Sequence, residues 1–352
     1  MKSLLFVVVF LSCALAKPSF PPNNSLQIRR PSLAQRHFRH DSKDFALIAT
    51  FLSIGSGMQI GDFVVDTMFG DLEVTVCAHN PPRKDEMPCF DAAMSYSFEK
   101  RTDHTAADSV VNNQFRVLSN ITFATRKPPT PYIGNLGLGW PSISLYPGET
   151  SFPMDFLRGS EKRKFSLSIG LDECESSMDF SGNDLCREGA TTVHLPVTSK
   201  SYWQFSAASF ALGSVKHARM SHAVINTKTE YIGVPSRFLS AFTKTYSIPW
   251  DSANGAYTVD CGRISGLPDL EIKVHGGSLR VKAAQYVYTK EKLKDGRCVL
   301  NLEDSAASGF GAQWYFGLPL LQSYCISFDF DQKRLGFTEN DIAYQCKSIN
   351  DI

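Results

Sequence analysis

Two short stretches of this chain read Phe63-Val64-Val65-Asp66-Thr67 and Ala223-Val224-Ile225-Asn226-Thr227. Each is an apolar run that ends in a side chain with an acceptor oxygen, followed by a threonine. The polar positions lie 160 residues apart (226 − 66), which is the length of one ordinary domain. The repeat therefore predicts two related half-sites on two related halves of the fold.

The two half-sites differ in the group that carries proton chemistry. Asp66 is a carboxylic acid, whereas Asn226 is an amide. Two carboxyl groups that share a proton can hold a water molecule and activate it, because one acts as the base while the other stays an acid. A site built from Asp66 and Asn226 has half of such a pair.

The first residues have the pattern of a secretory signal. They combine a basic start, an apolar stretch from Leu4 to Phe10 and an Ala14-Leu15-Ala16 ending suited to signal peptidase. The apolar run is shorter than the roughly 20 residues that a membrane-spanning helix needs, and no later segment reaches that length. We predict a signal peptide over residues 1–16 and a secreted or lumenal protein, extracellular or lysosomal, with no membrane partner.

The cysteines indicate disulfides rather than a metal site. Of the nine cysteines, Cys13 lies in the predicted signal peptide, and an even number remains in an exported chain. No Cys-x-x-Cys pair and no His-Glu-x-x-His spacing occurs, so we expect no metal and no cofactor. The remaining cysteines are Cys77, Cys89, Cys174, Cys186, Cys261, Cys298, Cys325 and Cys346.

The charge of the chain limits its partners. A net charge of +1 argues against nucleic acid or an acidic membrane as an obligate partner, and we expect a monomer. The basic cluster that includes Arg29, Arg30, Arg36 and Arg39 lies in residues 17–43. Two interpretations of this leader stay open: a solvated, disordered segment, or a propeptide that pairs with an acidic cleft.

From residue 44 onwards the pattern is that of short β-strands. Runs rich in Val, Ile, Phe and Tyr are broken roughly every 8 to 12 residues by Gly, Pro, Asn or Asp. Few stretches have a sustained helical period, and the best helix candidate covers Pro235 to Thr245. The fold class is therefore predicted to be all-β. Clear strand candidates are 46–51, 61–65, 115–118, 285–288 and 324–330.

Five segments, in their order and separation, resemble the pepsin-like aspartic proteases from about residue 44 to the C-terminus. The resemblance implies a bilobal fold, with β lobes over residues 44–198 and 199–352 around a central cleft that takes a peptide or protein ligand. The segments are Phe63–Thr67, Gly134–Ser144, Ala223–Thr229, Tyr257–Asp269 and Trp314–Phe337.

The resemblance also identifies departures in the two loops. The family loop reads Asp-Thr-Gly, and its glycine lets backbone pass close to the carboxylates, but Met68 and Lys228 occupy the glycine positions here. Thr67 and Thr227 match the threonines that cross-link the family's two loops, so we expect the loops to meet. The alternative is that threonine is simply a common strand residue.

Two interpretations of Lys228 stay open. If its ammonium lies within about 4 Å of Asp66, the attraction is about 4 kcal/mol at an effective dielectric constant near 20, which favours the carboxylate. The alternative is a solvated side chain that points away from the loop.

A further departure lies between Phe98 and Ala106. Relatives carry a β-hairpin flap there, with a tyrosine that closes over the substrate, whereas this chain resumes the family pattern at Asp108 after a few polar residues. The resemblance implies that the flap is deleted, and with it a lid that excludes water.

Three functions are compatible with these features. Loss of the second acid, of both loop glycines and of the flap favours an inactive pepsin-like protein whose cleft still binds a peptide or protein. The alternatives are an active aspartic-type endopeptidase and a structural or storage protein. Serine catalysis finds no support, since no Gly-x-Ser-x-Gly motif occurs.

Two modifications are expected in an exported chain. We predict sequential disulfides, because the third resembles a bridge of the family and sequential pairing is the simplest assignment of the rest. Asn23 and Asn120 begin glycosylation sequons, and Asn120 is expected at an exposed turn after a strand. The predicted bridges are Cys77 to Cys89, Cys174 to Cys186, Cys261 to Cys298 and Cys325 to Cys346.

Overall fold

The structure is a computed structural model, and it confirms that the chain is built mainly from β-strands. The predicted signal peptide, Asn23, Cys174 and Cys346 lie outside the described part of the chain. The residues that the structure describes are 25–29, 47–80, 82–84, 88–111, 117–126, 132–145, 151–158, 160–170, 176–182, 186, 190–289, 292–305 and 311–340.

The described residues of the first half form eleven strands and one short α-helix, α1 (Phe152–Phe156). The strands are β1 (Ser25–Arg29), β2 (Ile48–Ile54), β3 (Gln59–Asp66), β4 (Leu72–Thr75), β5 (Glu99–Lys100), β6 (Thr105–Val111), β7 (Val117–Arg126), β8 (Gly134–Gly137), β9 (Lys164–Ser168), β10 (Ser176–Asp179) and β11 (Thr192–Pro196).

In the second half, the part of the chain that the structure describes forms fourteen strands and three α-helices, α2 (Ser236–Thr245), α3 (Ala283–Tyr286) and α4 (Leu318–Ser323). The strands are β12 (Gln204–Leu212), β13 (Val215–His217), β14 (Ser221–Ile225), β15 (Ile232–Val234), β16 (Trp250–Asp251), β17 (Ala256–Asp260), β18 (Leu270–Val274), β19 (Gly277–Val281), β20 (Val287–Tyr288), β21 (Arg297–Leu300), β22 (Leu302–Asp304), β23 (Trp314–Phe316), β24 (Tyr324–Asp329) and β25 (Arg334–Glu339).

The helix predicted over Pro235–Thr245 is confirmed as α2, which Pro235 precedes at the N-cap. The strand predicted over Gln285–Tyr288 is wrong in its first half, because residues 283–286 form α3. Only the second half of the predicted strand is a strand, β20, which pairs with β21. The backbone N–H of Lys282 donates to the side-chain oxygen of Gln285, and this bond favours the helical turn.

The strands form three sheets. The largest has 13 strands in the order β11-β25-β24-β9-β10-β1-β2-β3-β8-β4-β7-β6-β5. The second has eight strands, β19-β18-β12-β14-β23-β15-β22 with β13 beside β12, and the third has the order β16-β17-β21-β20. The closing strands β24 and β25 return to the sheet of the first half, so the two halves of this bilobal fold share backbone pairing.

The two halves repeat one arrangement of four strands. In the first half β3 runs parallel to β8, β8 is antiparallel to β4, and β4 runs parallel to β7. In the second half β14, β23, β15 and β22 pair in the same way and in the same order. Because Asp66 ends β3 and Asn226 follows β14, the repeat carries the two half-sites to equivalent places.

Glycines permit the close packing of these repeated strands. A Cβ atom on Gly134 in β8 would lie 1.8 Å from the carbonyl oxygen of Glu73 in β4. A Cβ atom on Gly317, which follows β23, would lie 2.1 Å from the carbonyl oxygen of Thr229. A larger residue at position 134 would clash with β4, and a larger residue at position 317 would clash with the segment that follows Asn226.

An aromatic cluster fills the junction between the halves. Trp203 is fully buried, its ring centroid lies 4.9 Å from that of Trp140 and 4.8 Å from that of Phe330, and its indole N–H donates to the carbonyl of Leu138 at 2.8 Å. Burial of each such side chain contributes about 1.5–3 kcal/mol. The cluster therefore holds the segment after β8 against the closing strands.

Part of the predicted leader belongs to the largest sheet. Strand β1 pairs antiparallel with β10 and with β2. The interpretation of the leader as disordered is therefore wrong for residues 25–29. Whether the leader is a propeptide stays a prediction.

The structure confirms two predicted disulfides and corrects the others. Cys77 is bonded to Cys89 and Cys261 to Cys298. The predicted bridges Cys174 to Cys186 and Cys325 to Cys346 are wrong, because Cys186 is bonded to Cys325. Strand β24, which contains Cys325, lies beside β9, and β9 lies beside β10, which precedes Cys186. Sheet order rather than proximity in sequence brings these two cysteines together.

The structure also corrects the position of the second sequon. Asn120 lies within β7 and not at the turn that was predicted to follow a strand. Around it the pairing of β7 with β6 is irregular, with a register shift between Asp108 and Val110. Glycosylation of Asn120 stays a prediction.

Removal of the long-range disulfide is expected to destabilise the protein more than removal of a short one. Cys186 and Cys325 are 139 residues apart, whereas Cys77 and Cys89 are 12 apart. The chain-entropy account gives about 5 and about 3 kcal/mol for loops of these sizes. Urea unfolding of the two double alanine variants measures the difference, and an equal or larger loss for the Cys77 and Cys89 variant would contradict this assignment.

Candidate active site

Two loops meet where β3 and β14 end, and two buried threonines join them. The backbone N–H of Thr67 donates to Thr227 Oγ1 at 3.0 Å, and the N–H of Thr227 donates to Thr67 Oγ1 at 3.2 Å. Thr67 Oγ1 also donates to the carbonyl of Ile225, and Thr227 Oγ1 donates to the carbonyl of Val65. These four reciprocal bonds favour the interpretation that the threonines cross-link the halves.

The residues at the two acid positions have matching local geometry. The N–H of Met68 donates to Asp66 Oδ1 at 2.9 Å, and the N–H of Lys228 donates to Asn226 Oδ1 at 3.0 Å. An amide oxygen accepts this bond as a carboxylate oxygen does, so the loop geometry is compatible with either residue. The amide cannot accept the proton that a second carboxylate would share.

Met68, in the first glycine position, contacts the second half of the molecule. Its half-buried side chain packs against a small apolar cluster formed by Val224, Ala312 and Tyr315, together with Tyr202. Met68 is not among the described non-glycine residues with a positive φ. Its backbone conformation therefore does not require a glycine. Met68 therefore adds an apolar contact between the halves.

Lys228, in the second glycine position, contacts the first half. Its Nζ atom lies 3.2 Å from Asp66 Oδ2, with 43% of the lysine side chain exposed and 7% of the aspartate side chain. Of the two open interpretations, the one in which the ammonium reaches Asp66 is confirmed, and the side chain that points away is wrong. The carboxylate is thus engaged at Oδ1 by a backbone N–H and at Oδ2 by a cation.

This arrangement has the charges of an ion pair rather than those of an acid pair. Asp66 is the one carboxyl group of the two half-sites, and its charge is balanced by Lys228 from the opposite loop. Activation of a water molecule by a shared proton needs a second titrating group at the position of Asn226. The geometry supports binding through donors and a cation better than it supports proton transfer.

Two tyrosines lie beside the loops. Sequence reasoning assigned a role to neither, because Tyr202 lies outside the five matching segments and Tyr315 is only one strand residue of Trp314–Phe337. Tyr315 belongs to the small apolar cluster against which Met68 and Tyr202 both pack. Burial, and then the neighbouring Tyr202, raise the pKa of the Tyr315 hydroxyl above its usual value. Tyr315 is therefore neutral at physiological pH and adds no negative charge beside the ion pair.

The segment where relatives carry a flap is a tight hairpin. Strands β5 and β6 pair with Lys100 opposite Ala106, and the N–H groups of Arg101 and Thr102 both donate to the carbonyl of Thr105. The turn holds an exposed ion pair between Lys100 and Asp103, at 3.0 Å. This geometry is that of a short surface turn, and the loss of the flap stays a prediction.

Two other classes of site, a metal centre and a membrane-spanning helix, are absent from the described residues. No group of three or more His, Cys, Asp or Glu side chains lies close enough together there to bind a metal ion. Among the described helices, none has the length and apolar character needed to cross a membrane.

Comparison with known proteins relates the chain to proteases. A family profile described as eukaryotic aspartyl protease matches residues 101–340, a range that includes Asn226 and begins after Asp66. Aspartic protease 1 of Caenorhabditis elegans is 28% identical over 216 residues, which are 59% of this chain and 54% of that protein. Gastricsin of Callithrix jacchus is 26% identical over 241 residues, 65% of this chain and 59% of that protein. The match spans somewhat more than half the length of these relatives.

Replacement of Thr67 by valine is expected to lower the free energy of unfolding by about 2 to 4 kcal/mol. The change leaves the buried N–H of Thr227 and the carbonyl of Ile225 without their partners, and each unsatisfied group costs about 1 to 3 kcal/mol. The exposed Thr191→Val is the matched control, with an expected change under about 0.5 kcal/mol. Urea unfolding tests both, and equal effects would contradict a cross-linking role.

Proposed function

Because this chain belongs to the eukaryotic aspartyl protease family, we propose that it is a catalytically inactive member that binds a peptide or protein in its cleft. The single observation that carries the proposal is the ion pair between Lys228 and Asp66. In the family's chemistry the second loop supplies a carboxyl group, whereas in this chain it supplies an ammonium from residue 228 and an amide from residue 226.

Loss of the acid pair removes the step that would activate water. Asp66 Oδ1 accepts from the N–H of Met68 and Oδ2 faces the ammonium of Lys228, so the carboxylate is paired with a cation rather than with a second acid. General acid and base catalysis supplies about 100- to 10,000-fold in rate. The short turn between β5 and β6 also leaves the site without a lid of the family's type.

Retention of the two loops is what supports a binding function. The buried threonines keep the loops together, and Met68 and Lys228 each add a contact between the halves. A scaffold that keeps the two loops at the base of the cleft but lacks the acid pair is suited to bind a peptide and release it without cleavage. Members of this protease family take peptides in that place.

We also propose that the protein is exported and acts outside the cytosol, extracellularly or in lysosomes. Three disulfides join described cysteines, and such bonds persist in oxidising compartments. The pattern of residues 1–16 supports the same conclusion. The alternative function, an active aspartic-type endopeptidase, has in its favour the family membership and the intact threonine cross-link.

The purified protein is expected to show no proteolysis at acidic pH above the level of Asp66→Asn, its matched control. Asn226→Asp alone should also stay at that level, because it restores the second carboxyl group but leaves the ammonium of Lys228 on Asp66. The release of peptides from a denatured protein substrate is the measurement.

Two results would contradict this prediction in different ways. Cleavage by the unmodified protein, blocked by a transition-state analogue and absent in Asp66→Asn, would establish the endopeptidase. Strong activity of Asn226→Asp alone would mean that Lys228 and Met68 do not obstruct the chemistry.

A further inference from the structure

We propose that Lys228 makes the centre of the cleft a receptor for a carboxylate, so that the preferred ligand is an acidic peptide. This inference rests on the proposed binding function and adds to it the chemical class of the ligand. The residue that would decide specificity stands where the family has a glycine without any side chain.

The ion pair at the site is asymmetric with respect to solvent. The Asp66 side chain is 7% exposed and the Lys228 side chain is 43% exposed, with 3.2 Å between the charged atoms. The lysine side chain is therefore the more accessible partner of the pair for a ligand that approaches from solvent. The site is neutral as a whole, yet it presents positive charge to its ligand.

The ammonium of Lys228 has hydrogen-bond donors that Asp66 does not use. An ammonium carries three N–H groups, and one is enough for Asp66 Oδ2. Within the described part of the chain, Asp66 is the one charged group that Lys228 contacts. Two donors are then left for a ligand, and hydrogen bonds from an ammonium to a carboxylate are about twice as strong as neutral ones.

The second half-site favours the same class of ligand. The oxygen of the Asn226 side chain accepts from the N–H of Lys228, which leaves the amide NH2 group as a further donor. An aspartate at this position would repel an anionic ligand, whereas the amide does not. The neutral hydroxyl of Tyr315 beside the loops adds no repulsion either.

Affinity selection from two octapeptide libraries tests the inference. Both are randomised outside one fixed central residue, which is Glu in the first library and Gln in the second. The unmodified protein is expected to retain the Glu library about 10-fold better, a difference that corresponds to about 1.4 kcal/mol, and the preference should shrink as salt is raised.

Lys228→Gln is expected to abolish the preference, because glutamine can still donate to Asp66 but carries no charge. Lys228→Arg should keep it, and so should the matched control Lys273→Gln, which removes an exposed lysine of β18, a strand of the sheet that contains β14. Thermal unfolding monitors the fold of each variant. If Lys228→Gln does not fold, Asp66→Asn combined with Lys228→Gln replaces it with a neutral, hydrogen-bonded pair.

The outcomes separate this inference from the function on which it rests. Equal retention of both libraries by the unmodified protein, or a preference for Glu that survives Lys228→Gln, would overturn the carboxylate receptor and leave the binding function standing. Retention of neither library above the level of the heat-denatured protein would overturn the binding function itself.

Discussion

The reciprocal hydrogen bonds between Thr67 and Thr227 are the constraint on which the rest of the site depends. Each threonine gives and receives a bond across the junction, in a place from which solvent is excluded, so the two loops cannot separate without leaving buried polar groups unpaired. Because the two loops are held together, the residues on either side of each threonine are restricted to a narrow range of positions. Asp66 and Asn226 must sit on neighbouring loops, and residues 68 and 228 must lie within reach of the opposite half.

That constraint explains how the site can change its chemistry without losing its shape. An amide oxygen serves the turn at Asn226 as a carboxylate would, so removal of the second acid does not disturb the loop. The side chains in the two glycine positions each contact the opposite half of the molecule. Met68 packs on the cluster that contains Tyr315, and Lys228 neutralises the buried charge of Asp66. A buried carboxylate with no partner would be costly, which gives the lysine a structural as well as a recognition role.

Much of this arrangement could be predicted from the sequence, because it follows from repetition and periodicity. The matched stretches predicted two equivalent half-sites, and the paired strands around them have the same order in both halves. What could not be predicted depends on contacts between distant elements. The partner of Cys186 is set by the order of strands in a sheet, and the direction of the Lys228 side chain by the position of the opposite loop. The packing of Met68 is set by a cluster of the other half, formed by Val224, Ala312 and Tyr315.

The most direct test of the ion-paired site is a high-resolution crystal structure of the purified protein. The account predicts that the ammonium of Lys228 lies about 3 Å from Asp66 Oδ2, within the range of a charge-assisted hydrogen bond, with the threonine bonds intact beneath it. A water molecule held between Asp66 and Asn226, with the Lys228 side chain turned into solvent, would contradict it.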